Sequence, residues 1–144
     1  MTALFESETL MRCPVDHAFT VFTDRVDLWW PKGHRKFDSS AMSFDASPGG
    51  QLVERAADGA VMLFAEVLES DPPALLRLAW HPGKVGLPTE VTIRFEVEGE
   101  ATRVRVVHHE GQGDLGTHRD QRTALFAQGW TNILAACAAH IEGD

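Results

Sequence analysis

The sequence contains no tyrosine and only two cysteines among its 144 residues. Acid catalysis by a phenol is therefore excluded. Cys13 and Cys137 form neither a C-x-x-C pair nor a metal-ligand spacing, and each is next to an apolar residue. We expect two small buried hydrophobes in a reducing compartment, and a thiolate at Cys137 would be disfavoured inside its apolar stripe.

Positive charge is also scarce. Lysine and arginine number 13 against 21 acidic residues, which gives a net charge of -8. Without a basic cluster, neither nucleic acid nor an anionic membrane surface is an expected partner. No apolar run approaches the roughly 18 residues that a membrane helix needs. The N-terminus alternates and carries early acids, so it indicates a strand rather than a signal peptide, and we expect a cytoplasmic protein.

Motifs for covalent, metal or nucleotide chemistry are missing or out of context. There is no G-x-S-x-G elbow, and the seven histidines include no H-x-x-x-H or H-E-x-x-H pair, so no metal is expected. Gly111, Gly113 and Gly116 do spell G-x-G-x-x-G. A dinucleotide site needs a strand after the following helix, and none follows here. The glycines indicate a loop turn, and we expect no cofactor.

The order of elements predicts an α+β fold in one domain spanning residues 1–144. A strand over residues 3–12 precedes a helix that Pro14 opens and a second short helix that Pro31 closes. About six antiparallel strands follow, and a long amphipathic helix ends the chain. Its predicted apolar face consists of Leu125 or Phe126, Gly129, Trp130, Ile133, Leu134, Cys137 and Ile141.

Alternation is clearest in the last two strands, where it predicts which side chains face the core. One inward row consists of Val91, Ile93, Phe95 and Val97, and the other of Val104, Val106 and His108. His109 then faces the opposite side of the sheet. Residues 61–68 are apolar at both parities, so their facing is left open.

Several stretches in a fixed order give the chain a family resemblance. They are "PVDHAFTVFTD", "LWWPKGH", "SPGGQLVERAADGA", "VLESDPPALLRLAWH", "TRVRVVHHEG" and "GWTNILAACAAHI". In these the chain resembles the SRPBCC (START-like) superfamily, in the branch named for the activator of heat-shock-protein-90 ATPase homologue. It departs at Leu52, where relatives often carry Trp or Phe, and in the glycine-rich loop before the last helix.

The resemblance implies a helix-grip fold. In that fold a curved antiparallel β-sheet wraps around a long C-terminal α-helix, with two short helices after strand 1, and often encloses a cavity. We expect a small hydrophobic or amphipathic molecule to bind between sheet and helix. The candidate ligand-binding residues are Trp30, His34, Phe44, Leu52, Glu54, Phe64, Trp80, Phe95, His108, Glu110, Phe126 and Trp130.

Some of these residues have plainer interpretations. His34 follows "WWPKG" and is either an exposed loop histidine or a residue that closes over the cavity. Trp130 lies in the middle of the helix stripe, which favours a core position. His108 shares its inward parity with Glu110, and Glu54 points inward if Leu52 does.

Two other classes of function remain open. A cyclase or dehydratase would use His108 with Glu54 or Glu110 as general base and acid, whereas the structural alternative is a hydrogen-bonded ion pair at the end of the sheet. A chaperone-interacting module would present an exposed apolar patch, and it ranks third because the surface strand residues are mostly charged. A homodimer through the sheet or the helix is left open.

Overall fold

The computed structural model describes residues 3–81, 88–109 and 119–143, with the side chains of residues 5–81, 88–109 and 124–143. The seven strands are β1 (Ala3–Met11), β2 (Ser40–Phe44), β3 (Gln51–Ala56), β4 (Val61–Asp71), β5 (Leu75–Trp80), β6 (Thr89–Glu98) and β7 (Ala101–His109). The helices are α1 (Val15–Thr23), α2 (Val26–Trp29) and α3 (Arg119–Glu142), and a 3₁₀ turn spans Lys32–His34. The predicted order of elements is confirmed.

All seven strands form one antiparallel sheet in the order β1-β7-β6-β5-β4-β3-β2. The sheet is curled, and α3 packs its apolar stripe against the concave face. That stripe consists of Trp130, Ile133, Leu134, Cys137 and Ile141, which share one hydrophobic cluster with the inward residues of the sheet. The predicted helix-grip α+β fold is confirmed.

Helix α1 covers the other part of the concave face. Pro14 precedes its first turn, where a fixed φ suits a helix start and a missing N–H costs nothing. The helix buries Phe19 and Phe22, which both meet the ring of Phe95 edge-on at centroid distances of 5.2 and 5.6 Å. These edge-to-face contacts join α1 to the middle of the sheet.

Two bulges in β4 explain why the run 61–68 is apolar at both parities. Leu52 pairs with Ala65 but Val53 pairs with Leu63, so Phe64 is an extra residue that stays inside beside Ala65. A second shift lies between residues 67 and 69 and leaves Leu68 47% exposed. Strict alternation fails wherever such an extra residue is inserted.

Strands β6 and β7 follow the predicted alternation except at one end. Val91, Ile93 and Phe95 are buried, as are the inward residues of β7, but Val97 is 70% exposed. The prediction for Val97 is wrong because this end of the strand, next to the turn at Gly99, lines an open groove with residues 12–15. Gly111, Gly113 and Gly116 lie outside the described residues.

Both cysteines are buried and free, as the sequence predicted. Burial raises the pKa of the Cys137 thiol, and the nearby Cys13 raises it further. Burial, reinforced by Asp16, also raises the pKa of Cys13. Both side chains are therefore neutral thiols at pH 7, and they pack as small apolar groups.

Candidate functional site

A pocket of about 180 Å³ opens between the concave sheet, the segment 30–34 and α3. Its walls are mostly aromatic and aliphatic, with one imidazole at the rim. The lining residues are Trp30, His34, Phe64, Trp80, Leu125, Phe126, Gly129, Trp130 and Ile133. Leu125 at the mouth is 71% exposed, whereas the tryptophans are almost fully buried.

Four of the lining rings form a continuous wall. Trp30 lies 5.6 Å from Phe64 and 6.5 Å from Trp80, and Trp80 lies 4.9 Å from Trp130 between ring centroids. The bulge in β4 is what places Phe64 inside beside Trp80, and its carbonyl accepts the N–H of His81 at 2.8 Å. Flat rings at these distances offer stacking and edge contacts to a further aromatic group.

His34 lies at the rim of this pocket, next to α3. Its ring approaches Gly129, where a Cβ would meet His34 Cε1 at 3.7 Å. Its Nε2 lies 3.2 Å from the amide nitrogen of Asn132, and its carbonyl accepts the indole N–H of Trp30 at 3.3 Å. His34 is therefore a half-buried wall residue rather than a free loop histidine.

His108 lies near the C-terminal end of β7, on the concave face of the sheet, and is completely buried. Trp130 Nε1 donates to its Nδ1 at 3.3 Å, so its Nε2 carries the proton and donates to Thr89 Oγ1 at 2.7 Å. Phe126 stacks on the ring at 4.5 Å. Burial, helped by the neighbouring His109, lowers the pKa of His108 to about 3. The imidazole is neutral at pH 7 with both nitrogens engaged.

Glu54 is also completely buried, as expected from the inward position of Leu52. Its carboxylate accepts the backbone N–H groups of Lys36 and Phe37 at 2.7 and 2.9 Å and the Ser40 hydroxyl at 2.7 Å. Burial raises its pKa, but these hydrogen bonds and the charge of Arg35 outweigh burial, so the pKa lies below 4.5. Glu54 thereby holds residues 36–40 in place, directly after the segment 30–34 that carries Trp30 and His34.

His108 and Glu54 therefore belong to separate networks. They lie on β7 and β3, which β6, β5 and β4 separate in the sheet. Their hydrogen-bond partners in the described structure are different, and neither side chain is exposed. Glu110 lies outside the described residues. The structure does not bring His108 and Glu54 to one solvent-reachable point.

Three other predicted residues pack away from the pocket. Phe44 lies 6.4 Å from Phe22 of α1, Phe95 contacts the same helix, and Leu52 is 1% exposed in the core. Their apolar character and inward parity are shared with the pocket residues, which is why sequence could not separate them. Phe44 and Phe95 contact α1 instead of lining the pocket.

The chain matches the family described as Activator of Hsp90 ATPase homolog 1-like protein over residues 12–142. It belongs to this family. No curated protein matches it. The family resemblance predicted from the sequence is thereby confirmed.

Solved structures share the fold of this family member over nearly its whole length. Protein MLL2253 from Mesorhizobium loti is 16% identical, with a TM-score of 0.71 and 96% of each chain covered. CalC, a self-sacrificing resistance protein from Micromonospora echinospora, is 23% identical, with a TM-score of 0.71 over 96% of this chain and 94% of CalC. The anthrahydroquino-γ-pyrone synthase Txn09 is 25% identical, with a TM-score of 0.63 and 95% of each chain covered.

Sequence reasoning missed several residues of this family member's site. Thr89 extends the inward row of Val91 and Ile93 by two residues, so its parity was available as a signal. Asn132 had no signal, because its contact with His34 joins residues 98 positions apart. Gly129 was assigned to the apolar face of α3, but its place beside His34 was not foreseen.

The described part of this family member also has wider, more open grooves that lack an aromatic wall. A wider open groove of about 720 Å³ lies at the far end of the β6–β7 hairpin and is lined largely by residues 12–15 and 97–101. Within residues 3–81, 88–109 and 119–143, no cluster of three histidine, cysteine or acidic side chains could hold a metal ion. In the same residues no helix is long and apolar enough to cross a membrane.

Proposed function

We propose that this protein binds a small aromatic molecule in the pocket between the sheet and α3. The observation that carries the proposal is the wall of Trp30, Phe64, Trp80 and Trp130, which leaves about 180 Å³ open beside α3. Packed cores leave few voids larger than a water molecule. This space opens to solvent beside Leu125, and its aromatic walls offer apolar surface that a ligand can cover.

The volume limits the ligand. Drug-sized ligands occupy pockets of roughly 300–1,000 Å³, whereas an apolar cavity of about 150 Å³ binds benzene. The pocket of about 180 Å³ is open on one side and accommodates one or two fused rings. The solved neighbour Txn09 is named as an anthrahydroquino-γ-pyrone synthase. That name denotes a fused aromatic system of more than two rings, so it supports the aromatic class of the ligand and not its size.

Binding is favoured over proton-transfer catalysis by the state of the two described candidates. His108 is neutral, buried and hydrogen-bonded at both nitrogens, with its pKa lowered to about 3. Glu54 already accepts three hydrogen bonds. A general base needs a pKa nearer the working pH and access to the reacting group. Neither side chain meets both conditions.

We expect naphthalene to bind with a dissociation constant on the order of 10–100 µM, because two rings fill the pocket and bury mainly apolar surface. Tryptophan fluorescence reports the titration directly. Gly129→Ala is expected to weaken binding about fivefold or more, since an added methyl takes space beside the ligand. The same change is expected to raise stability by about 0.5–1 kcal/mol, since glycine is poor inside a helix and the new Cβ has room.

The matched control is Thr131→Ala, an exposed position two residues further along α3. It changes helix propensity without touching the pocket, so naphthalene affinity should stay at the wild-type value. Absence of naphthalene binding to the wild-type protein at its solubility limit would refute the proposed function. Equal affinity in wild type and Gly129→Ala would place the binding elsewhere.

A further inference from the structure

His34 supplies the imidazole among the described residues of the pocket wall, and its backbone is fixed on both sides. Its N–H donates to the Pro31 carbonyl at 3.0 Å, and its own carbonyl accepts the Trp30 indole N–H at 3.3 Å. The 3₁₀ turn therefore holds the imidazole at a set place against Gly129. A side chain held in this way is preorganised for a ligand.

Contacts on α3 determine which ring nitrogen carries the proton. Gln128 Nε2 donates to Asn132 Oδ1 at 3.4 Å, so the amide nitrogen of Asn132 is the group that faces His34. That nitrogen lies 3.2 Å from His34 Nε2. An amide nitrogen only donates, so in this pairing Nε2 accepts and the proton sits on Nδ1.

The Nδ1–H group of His34 is a donor without a hydrogen-bond partner in the described part of the chain. It lies 4.0 Å from the position that a Cβ of Gly129 would occupy, and that position is empty because the residue is glycine. The indole N–H groups of Trp30 and Trp130 already donate to His34 O and His108 Nδ1. A ligand in the pocket therefore meets an available donor at His34.

We propose that the pocket selects aromatic ligands that carry a carbonyl oxygen, and that this oxygen accepts a hydrogen bond from His34 Nδ1. The inference rests on the proposed function and narrows its ligand class to small aryl ketones and similar cyclic carbonyl compounds. A site with a positioned donor discriminates against analogues that lack the matching acceptor. Such an analogue displaces the water bonded to the donor and leaves the donor without a hydrogen bond.

The test compares indan-1-one with indane, which have the same ring skeleton and differ by the carbonyl group. Wild-type protein is expected to bind the ketone about two- to tenfold more tightly, as one net hydrogen bond would give. In His34→Phe the preference should disappear or reverse, because the ketone then loses its bond with water without compensation. Fluorescence titration of both compounds gives the ratio in each protein.

Asn132→Leu is the second variant, and it covers the case in which His34→Phe misfolds. Asn132 is exposed, so the fold should tolerate the change, and without its amide the Nδ1 proton is no longer enforced. We expect the ketone preference to fall there too. If indane and indan-1-one bind but their affinity ratio is the same in all three proteins, the inference is overturned and the proposed function stands. If neither compound binds wild-type protein, the proposed function itself fails.

Discussion

Replacing Glu54 with glutamine is expected to lower the free energy of unfolding by about 2–4 kcal/mol at pH 7. The carboxylate accepts from Lys36 N–H, Phe37 N–H and the Ser40 hydroxyl, and it is fully buried. A glutamine amide presents one oxygen and one NH₂ group, so at least one buried donor faces another donor. Each unsatisfied buried group costs about 1–3 kcal/mol, and loss of the negative charge weakens the remaining hydrogen bonds. Urea unfolding followed by tryptophan fluorescence measures the change.

The control for this variant is Glu66→Gln, which removes a carboxylate from an exposed position of β4. It should change stability by no more than about 0.5 kcal/mol. A Glu54→Gln protein as stable as Glu66→Gln would show that the carboxylate does not hold the segment in place. We expect Glu54→Gln to lose naphthalene binding as well as stability. The residues that Glu54 holds directly follow Trp30 and His34, which line the pocket.

The pH dependence of the Glu54 effect has a defined sign. Its pKa is lower in the folded protein than the ordinary 4.5, so the unfolded chain takes up the proton first as the pH falls. Its contribution is therefore fully present above pH 4.5 and is lost as the pH falls through the folded pKa. The stability gap between wild type and Glu54→Gln should stay constant from pH 7 to about 5 and narrow below 4.5.

Replacing His108 with leucine is expected to lower the free energy of unfolding by about 2–4 kcal/mol at pH 7.5. The change keeps an apolar shape but leaves the Trp130 indole N–H without its acceptor and the Thr89 hydroxyl without its donor. The stacking contact with Phe126 at 4.5 Å is lost as well. Chemical denaturation at pH 7.5 gives the value, and a stable variant would refute the assigned network.

The His108 effect depends on pH over a higher range than that of Glu54. Its pKa falls from 6.5 to about 3 on folding, so between those values the unfolded state binds the extra proton. Its contribution is fully present above pH 6.5 and declines as the pH falls toward 3. The gap between wild type and His108→Leu should therefore narrow steadily below pH 6.5.

Val106→Ala is the matched control for the pH profile. It removes buried volume from the same face of the same strand without changing a titratable group. Its destabilisation, about 1–3 kcal/mol from lost packing, should not vary between pH 4 and 7.5. If the gap for His108→Leu is equally flat, His108 is not buried in the neutral form.

Much of the fold could be predicted because hydrophobic period and turn residues agree along this chain. The alternation of β6 and β7 identified Ile93 and Val106 as core, and both are fully buried. The facing of residues 61–68 was left open, and the bulge at Phe64 is the reason that alternation could not assign it. The inward prediction failed at Val97, which lies in an open groove beside residues 12–15.

The candidate site was predictable only in part. Parity placed Glu54 and His108 inside, but it could not show that each is already engaged, since the partners lie on other elements. The role of His34 depends on Asn132, 98 positions away, and on the missing side chain of Gly129. Contacts of that kind arise because the segment 30–34 packs against α3, and no local sequence pattern encodes them.

The measurement that tests the central claim most directly is a crystal structure of the protein with naphthalene bound. We predict the bicyclic ring among Trp30, Trp80 and Trp130, with the ring of His34 at its edge. Naphthalene found instead in the groove along residues 12–15 and 97–101 would contradict the account. A crystal structure in which protein side chains fill the space between Trp30, Trp80 and Trp130 would also contradict the account.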